Sequence, residues 1–117
     1  MKKFYIIFLF AFSVMTATAQ EKKYSDHYYE RVAQFESETP ICSNDIVFLG
    51  NSLTEGGKWN DYFAGTESKL NKKGGAIRNR GIIGDTAEGI ADRLDEITKG
   101  APKKIFLLCG LNDISHN

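Results

Sequence analysis

The sequence predicts an α/β fold built on a parallel β-sheet, and three observations carry that reading. Two continuous apolar runs, Ile46-Val47-Phe48-Leu49 and Ile105-Phe106-Leu107-Leu108-Cys109, each end at a glycine. Runs of this kind suit strands buried on both faces, as parallel sheets require. Segments with helical spacing of apolar residues precede and separate them. The resulting order is helix, strand, helix, strand, helix, strand, which fits right-handed βαβ units.

Residues 1–19 stand outside that pattern. Met1-Lys2-Lys3 is a short basic start, residues 4–14 are almost wholly apolar, and Ala17-Thr18-Ala19 offers small residues at a cleavage spacing. This is the form of a signal peptide, with Gln20 as the first mature residue and a periplasmic or secreted destination. The apolar run is shorter than the ~20 residues of a comfortable membrane span. No stable span is therefore expected once the leader is cleaved, although an uncleaved anchor is the alternative. No cysteine follows the run, which argues against a lipoprotein anchor.

Residues 20–43 read as an N-terminal helix and linker. Tyr28, Tyr29, Val32 and Phe35 are spaced for one face of a helix over residues 22–38, which Pro40 stops. Residues 44–117 then hold the sheet. After the first strand comes a loop and a helix over residues 59–70, expected to bury Trp59, Tyr62 and Phe63. A second, weaker strand follows at residues 76–80. The clearest helix begins after Gly84: Asp85 is placed to cap it, with Glu88 in capping-box position. Ala87, Ile90, Ala91, Leu94 and Ile97 form its apolar face, and Gly100 and Pro102 end it. The third strand is residues 105–109. A three-stranded sheet leaves such apolar strands on an uncovered edge, so the chain is expected to be the front part of a larger domain.

Composition removes several function classes. Lysine plus arginine and aspartate plus glutamate balance at 15 each, so no basic field exists to attract nucleic acid. The two cysteines, Cys42 and Cys109, fall at opposite ends of neighbouring strands, roughly 15 Å apart at ~3.3 Å per residue. A disulfide needs Cα atoms within about 7 Å. Two free thiols are expected, with Cys109 buried. The segment at residues 50–58 lacks the glycine and hydroxyl positions of a phosphate-binding loop, which argues against nucleotide binding.

Three short segments fall at the carboxyl ends of the three strands, where open α/β sheets place their sites. They are Gly50-Asn51-Ser52-Leu53-Thr54, Asn79-Arg80-Gly81-Ile82-Ile83-Gly84-Asp85-Thr86 and Gly110-Leu111-Asn112-Asp113. Ser52 offers a hydroxyl nucleophile on a tight turn. Gly84 presents a bare backbone N–H at the start of a helix, and Asn112 offers a side-chain amide. Together such donors make an oxyanion hole, with each worth about 3 kcal/mol to a transition state.

In order and spacing, these segments resemble the first three sequence blocks of the SGNH (GDSL-type) hydrolase family. The resemblance covers residues 44–113 and implies a flavodoxin-like three-layer fold with a parallel sheet, of which only the first three strands are present. It implies Ser52 as nucleophile and Gly84 and Asn112 as oxyanion donors, with no metal or cofactor. The expected activity is that of an exported serine esterase acting on a small-molecule or glycan ester. The segments Gly-Asn-Ser-Leu-Thr-Glu-Gly and Asn-Arg-Gly-Ile-x-Gly-Asp look most like the acetylhydrolase branch, which points to O-acetyl groups on carbohydrate. Lysophospholipid-like esters are the other substrates the family implies. Asn51 departs from the family, which usually has aspartate there, and puts a supporting loop contact in doubt.

The family's fourth block, Asp-x-x-His, supplies the base and the carboxylate that orients it. Asp113-Ile114-Ser115-His116 has that spacing, but Asp113 already belongs to the third block and His116 lies one turn from Asn112. The base is therefore expected from a separate loop beyond residue 117, and His27 is expected in a surface or capping role. An inactive truncated fragment, or a ligand-binding module lacking the base, is the competing expectation. Arg78 and Arg80 are open between contact with an acidic substrate and an exposed structural role.

Overall fold

A computed structural model of the chain describes residues 2–3 and 20–115. Residues 4–19 of the expected leader, and His116, lie outside the described residues. The described part is a mixed α/β structure on a small open sheet of three parallel strands. They are β1 (Ile46–Gly50), β2 (Ile77–Gly81) and β3 (Lys104–Leu108), in the spatial order β2-β1-β3. Ile46 pairs in register with Ile77 on one side and with Lys104 on the other. All three lie within a residue of the expected strands; for β1 and β3 the reason is that continuous apolar runs closed by glycine leave little freedom of placement.

Helices cover both faces of the sheet. Helix α1 (Asp26–Ser37) is capped by Ser25, whose side chain accepts the Tyr28 N–H. It packs Tyr28 and Phe35 with Ile82. On the same face, α5 (Ala87–Asp92) and α6 (Asp95–Thr98) bring Ile90 and Ile97 against Val47 and Leu49 of β1. Val47 and Ile97 are wholly buried. The opposite face carries α2 (Ser52–Glu55), α3 (Trp59–Tyr62) and α4 (Ala64–Asn71). There Phe48 stacks on Trp59 with ring centroids 4.2 Å apart and planes 5° from parallel. Such a pair adds about 1 kcal/mol beyond its burial. Helix α7 (Leu111–Ser115) follows β3.

Several expectations need correction. The helix over residues 59–70 is broken at Phe63, and Tyr62 and Phe63 are exposed rather than buried. The helix after Gly84 is likewise divided into α5 and α6. Thr86, not Asp85, is its N-cap and accepts the Gly89 N–H at 3.2 Å. Asp85 is instead buried, with one carboxylate oxygen against an arginine and the other accepting the Thr86 N–H at 2.9 Å. Strand β3 is exposed along its whole length, the uncovered edge expected of a three-stranded sheet, because no helix lies over it. Cys109 accordingly is an exposed free thiol and not a buried one. Among the described residues, no helix is long and apolar enough to cross a membrane.

Candidate active site

The strand order reverses at β1. The chain steps from β1 to β2 on one side, then crosses back to lay β3 on the other. Crevices at the carboxyl ends of strands flanking such a reversal are where open α/β sheets bind ligands. Ser52 follows β1 and Asn112 follows β3, so these two residues flank it.

Ser52 is the first residue of α2 and is exposed. Asn51, 1% exposed, caps this helix by accepting the Leu53 N–H at 3.1 Å. Asparagine and aspartate perform this task about equally well. Gly84 lies in the turn between β2 and α5 with φ +77°, and a Cβ added there would meet nothing within 4 Å. Glycine is needed at this point for its backbone conformation, since space is ample. Asn112 is half-buried in α7 and donates from Nδ2 to the Asp85 carbonyl at 2.8 Å. A primary amide has a second N–H to offer. Beside it, the Asp113 carboxylate accepts the Ala87 N–H at 3.0 and 3.1 Å. The third segment is thus fastened to the second through two adjacent side chains.

No protein-family model and no curated protein matches this chain.

The first and second segments are joined by a residue that sequence reasoning missed. Arg93, buried after α5, pairs with Asp85 at 2.8 Å and donates to the Arg80 carbonyl at 2.9 Å and the Gly50 carbonyl at 3.3 Å. One guanidinium therefore ties the ends of β1 and β2 to the residue after Gly84. Burial pushes the Asp85 carboxyl above its ordinary range, and Arg93 pulls in the opposite direction.

Asn79 is a second missed residue. Its Nδ2 donates to the carbonyls of Thr54 and Glu55, both at 3.0 Å, and of Gly57 at 3.3 Å. Its Oδ1 accepts the Gly81 N–H at 2.9 Å. It thereby closes the carboxyl end of the helix that Ser52 opens. A hint was available, since asparagine is depleted from strands and calls for a reason there. Glu55 is the third, with its carboxylate held between α1 and the Gly84 turn. Its Oε2 accepts the Ile83 N–H at 2.6 Å, and its Oε1 lies 2.9 Å from His27 Nε2 and 3.3 Å from Arg31 Nε. His27 thus lies at the surface, its side chain 42% exposed, but with a partner rather than as a cap.

Arg80 is not exposed either. Only 1% of its side chain is accessible, and it bonds Glu96 at 2.9 Å and Glu38 at 2.9 Å over the ring of Phe35. Arg78 is paired with the buried Asp45 at 3.2 Å. Both arginines hold the fold together. Two recesses border the site. One, of about 490 Å³, includes His27, Tyr28, Ile83, Gly84 and Thr86. The other, of about 230 Å³, is apolar and lies among Phe48, Leu53, Trp59, Phe106 and Leu108. Among the described residues, no group of three or more His, Cys, Asp or Glu side chains is gathered to hold a metal.

Proposed function

We propose that this chain carries the nucleophile and oxyanion donors of an exported serine ester hydrolase of the SGNH type, with a flavodoxin-like sheet. What supports the reading is the convergence of three segments at one sheet end. Ser52 follows the central strand, and the Asn112 amide is bonded to the residue next to Gly84. In this reading Ser52 Oγ attacks the ester carbonyl carbon and its proton passes to a base. The carbonyl oxygen, now negative, takes hydrogen bonds from the Ser52 and Gly84 N–H groups and from the Asn112 amide. Collapse of the tetrahedral species breaks the bond to the alcohol, which leaves with a proton. Water then attacks the acyl-serine and returns Ser52 to its starting state. The substrate class favoured by the Gly50 and Asn79 segments is an O-acetyl group on carbohydrate.

One observation favours a second reading, a binding module without turnover. His27, the histidine among the described residues, has its Nε2 committed to Glu55. Release of p-nitrophenolate from p-nitrophenyl acetate separates the two. The hydrolase reading expects the protein to turn over well above its Ser52→Ala variant. Equal rates for the two proteins would leave the binding module.

A further inference from the structure

We propose that Glu55 is a positioning residue that sets the place of the Gly84 N–H by holding the preceding amide, an inference resting on the ester hydrolase reading above. The turn is pinned on either side of Gly84, by buried Ile82 and by Asp85 through Arg93 and Asn112, but at Ile83 and Gly84 themselves the anchors are few. Ile83 is 57% exposed, so its side chain does not pin the turn. Gly84 has no Cβ to pack, and its surroundings are open. The turn's own closing bond, from the Asp85 N–H to the Ile82 carbonyl, is 3.2 Å long. By contrast, the Ile83 N–H meets the Glu55 carboxylate at 2.6 Å, the geometry of a charge-assisted bond.

The carboxylate is itself held firmly. Its side chain is 16% exposed, and His27 and Arg31 approach Oε1 from α1. Arg31 also donates to the Gly81 carbonyl at 3.0 and 3.3 Å, so α1 grips the same turn from its other end. Glu55 belongs to the four-residue helix that Ser52 opens, and Asn79 closes that helix onto β2. Nucleophile and oxyanion donor are thereby measured from one short rigid piece. An error of about 1 Å in such a placement costs on the order of a hundredfold in rate.

Glu55→Gln keeps an acceptor for Ile83, Glu55→Asp keeps the charge but falls short of it, and Glu55→Ala removes both. Amide hydrogen exchange at Ile83 and steady-state hydrolysis of p-nitrophenyl acetate are measured on all four proteins. Exchange at Ile83 is expected to speed up by about tenfold or more in the Ala and Asp variants. Their kcat is expected to fall by about tenfold to a hundredfold with KM held within about twofold. Glu55→Gln, which keeps an acceptor but loses the charge, is expected to fall between the parent and Glu55→Ala on both readings. A merely structural ion pair would be lost in Glu55→Gln as fully as in Glu55→Ala, and that pattern would overturn the proposal. Unchanged exchange at Ile83, or faster exchange with kcat intact, would overturn it too. Labelling of Ser52 by an alkyl fluorophosphonate keeps the two levels apart. An unlabelled parent protein defeats the hydrolase reading and the catalytic role of Glu55 with it, whereas the exchange result still decides whether Glu55 holds the turn.

Discussion

Replacing Arg93 by methionine tests the central claim that one buried guanidinium binds the strand ends together. The substitution keeps most of the aliphatic stem and removes the charge. It leaves Asp85, whose side chain is 1% exposed, without its cation at 2.8 Å. It also strips a donor from the carbonyls of Gly50 and Arg80. Breaking a buried pair on one side costs about 3–5 kcal/mol, because a charge stays buried and uncompensated. Domains of this size are stable by about 5–15 kcal/mol, so the loss is a large fraction of the whole. Urea unfolding at low temperature, followed by the emission of Trp59, provides the assay. With a slope of about 1–3 kcal/mol per molar, the midpoint should fall by roughly 2 M.

The variant should also carry a pH signature. Burial already raises the Asp85 carboxyl, and losing Arg93 removes the main influence that lowers it. A carboxyl raised in the folded state favours folding below its unfolded value near 4 and loses that contribution as pH rises through the folded value. The deficit of Arg93→Met should therefore shrink as pH drops from 7 towards 4. Adding Asp85→Asn should recover part of it at pH 7. A deficit below about 1 kcal/mol, or one indifferent to both pH and the second substitution, would refute the argument.

Two further outcomes follow from packing and ionisation. Gly81→Ala would drive a Cβ into the backbone of Glu55, with Glu55 Cα and the Thr54 carbonyl carbon next in line at 2.5 and 2.6 Å. Backbone cannot swing aside as a side chain can, so the variant should lose about 1–3 kcal/mol in thermal or urea unfolding and displace α2 with Ser52. A stability equal to the parent's would contradict the close approach of β2 and α2. The Tyr28 hydroxyl, buried and donating to the Gly89 carbonyl at 2.7 Å, is pushed up to about 12 by desolvation. Its neutral form is the one the fold favours, so stability present below the unfolded value near 10 should be lost as pH climbs towards 12. Ultraviolet titration against Tyr28→Phe reads this directly, and a Tyr28 ionising near 10 would contradict it.

The parts of this fold visible in the sequence are those written in apolar periodicity and glycine punctuation. Strand β1 could be placed from Ile46-Val47-Phe48-Leu49 because an apolar run of four closed by Gly50 has the length of a strand and is too short for a helix. The places of Ser52, Gly84 and Asn112 shortly after strand ends were legible for the same reason, whereas their roles belong to the proposal above. What escaped was the charged interior. Arg80, Arg93, Asp45 and Asp85 are all buried, and a pattern that sorts charges outward cannot reveal which carboxylate each arginine will find. The breaks in the second and third helical segments were hidden as well. Their apolar spacing runs on through Phe63 and Leu94, whereas the geometry of the backbone there does not. Strand β3 illustrates the limit most plainly, since Ile105 to Leu108 reads as fully buried and is open. Apolar residues encode a demand for cover but not the cover itself.

That open strand has a bearing on handling the protein in solution. Its outer row of amide and carbonyl groups faces away from β1, flanked by Phe106, Leu107 and Leu108, each more than two-fifths exposed. An extended edge of this type is adhesive towards any other strand it meets, including the same edge of a neighbouring molecule. The basic side chains Lys103 and Lys104 stand guard only at its beginning. For residues 1–117 taken alone, crowding should promote sticking at the Leu108 end first, and Leu107→Lys should lower the light scattering that reports it.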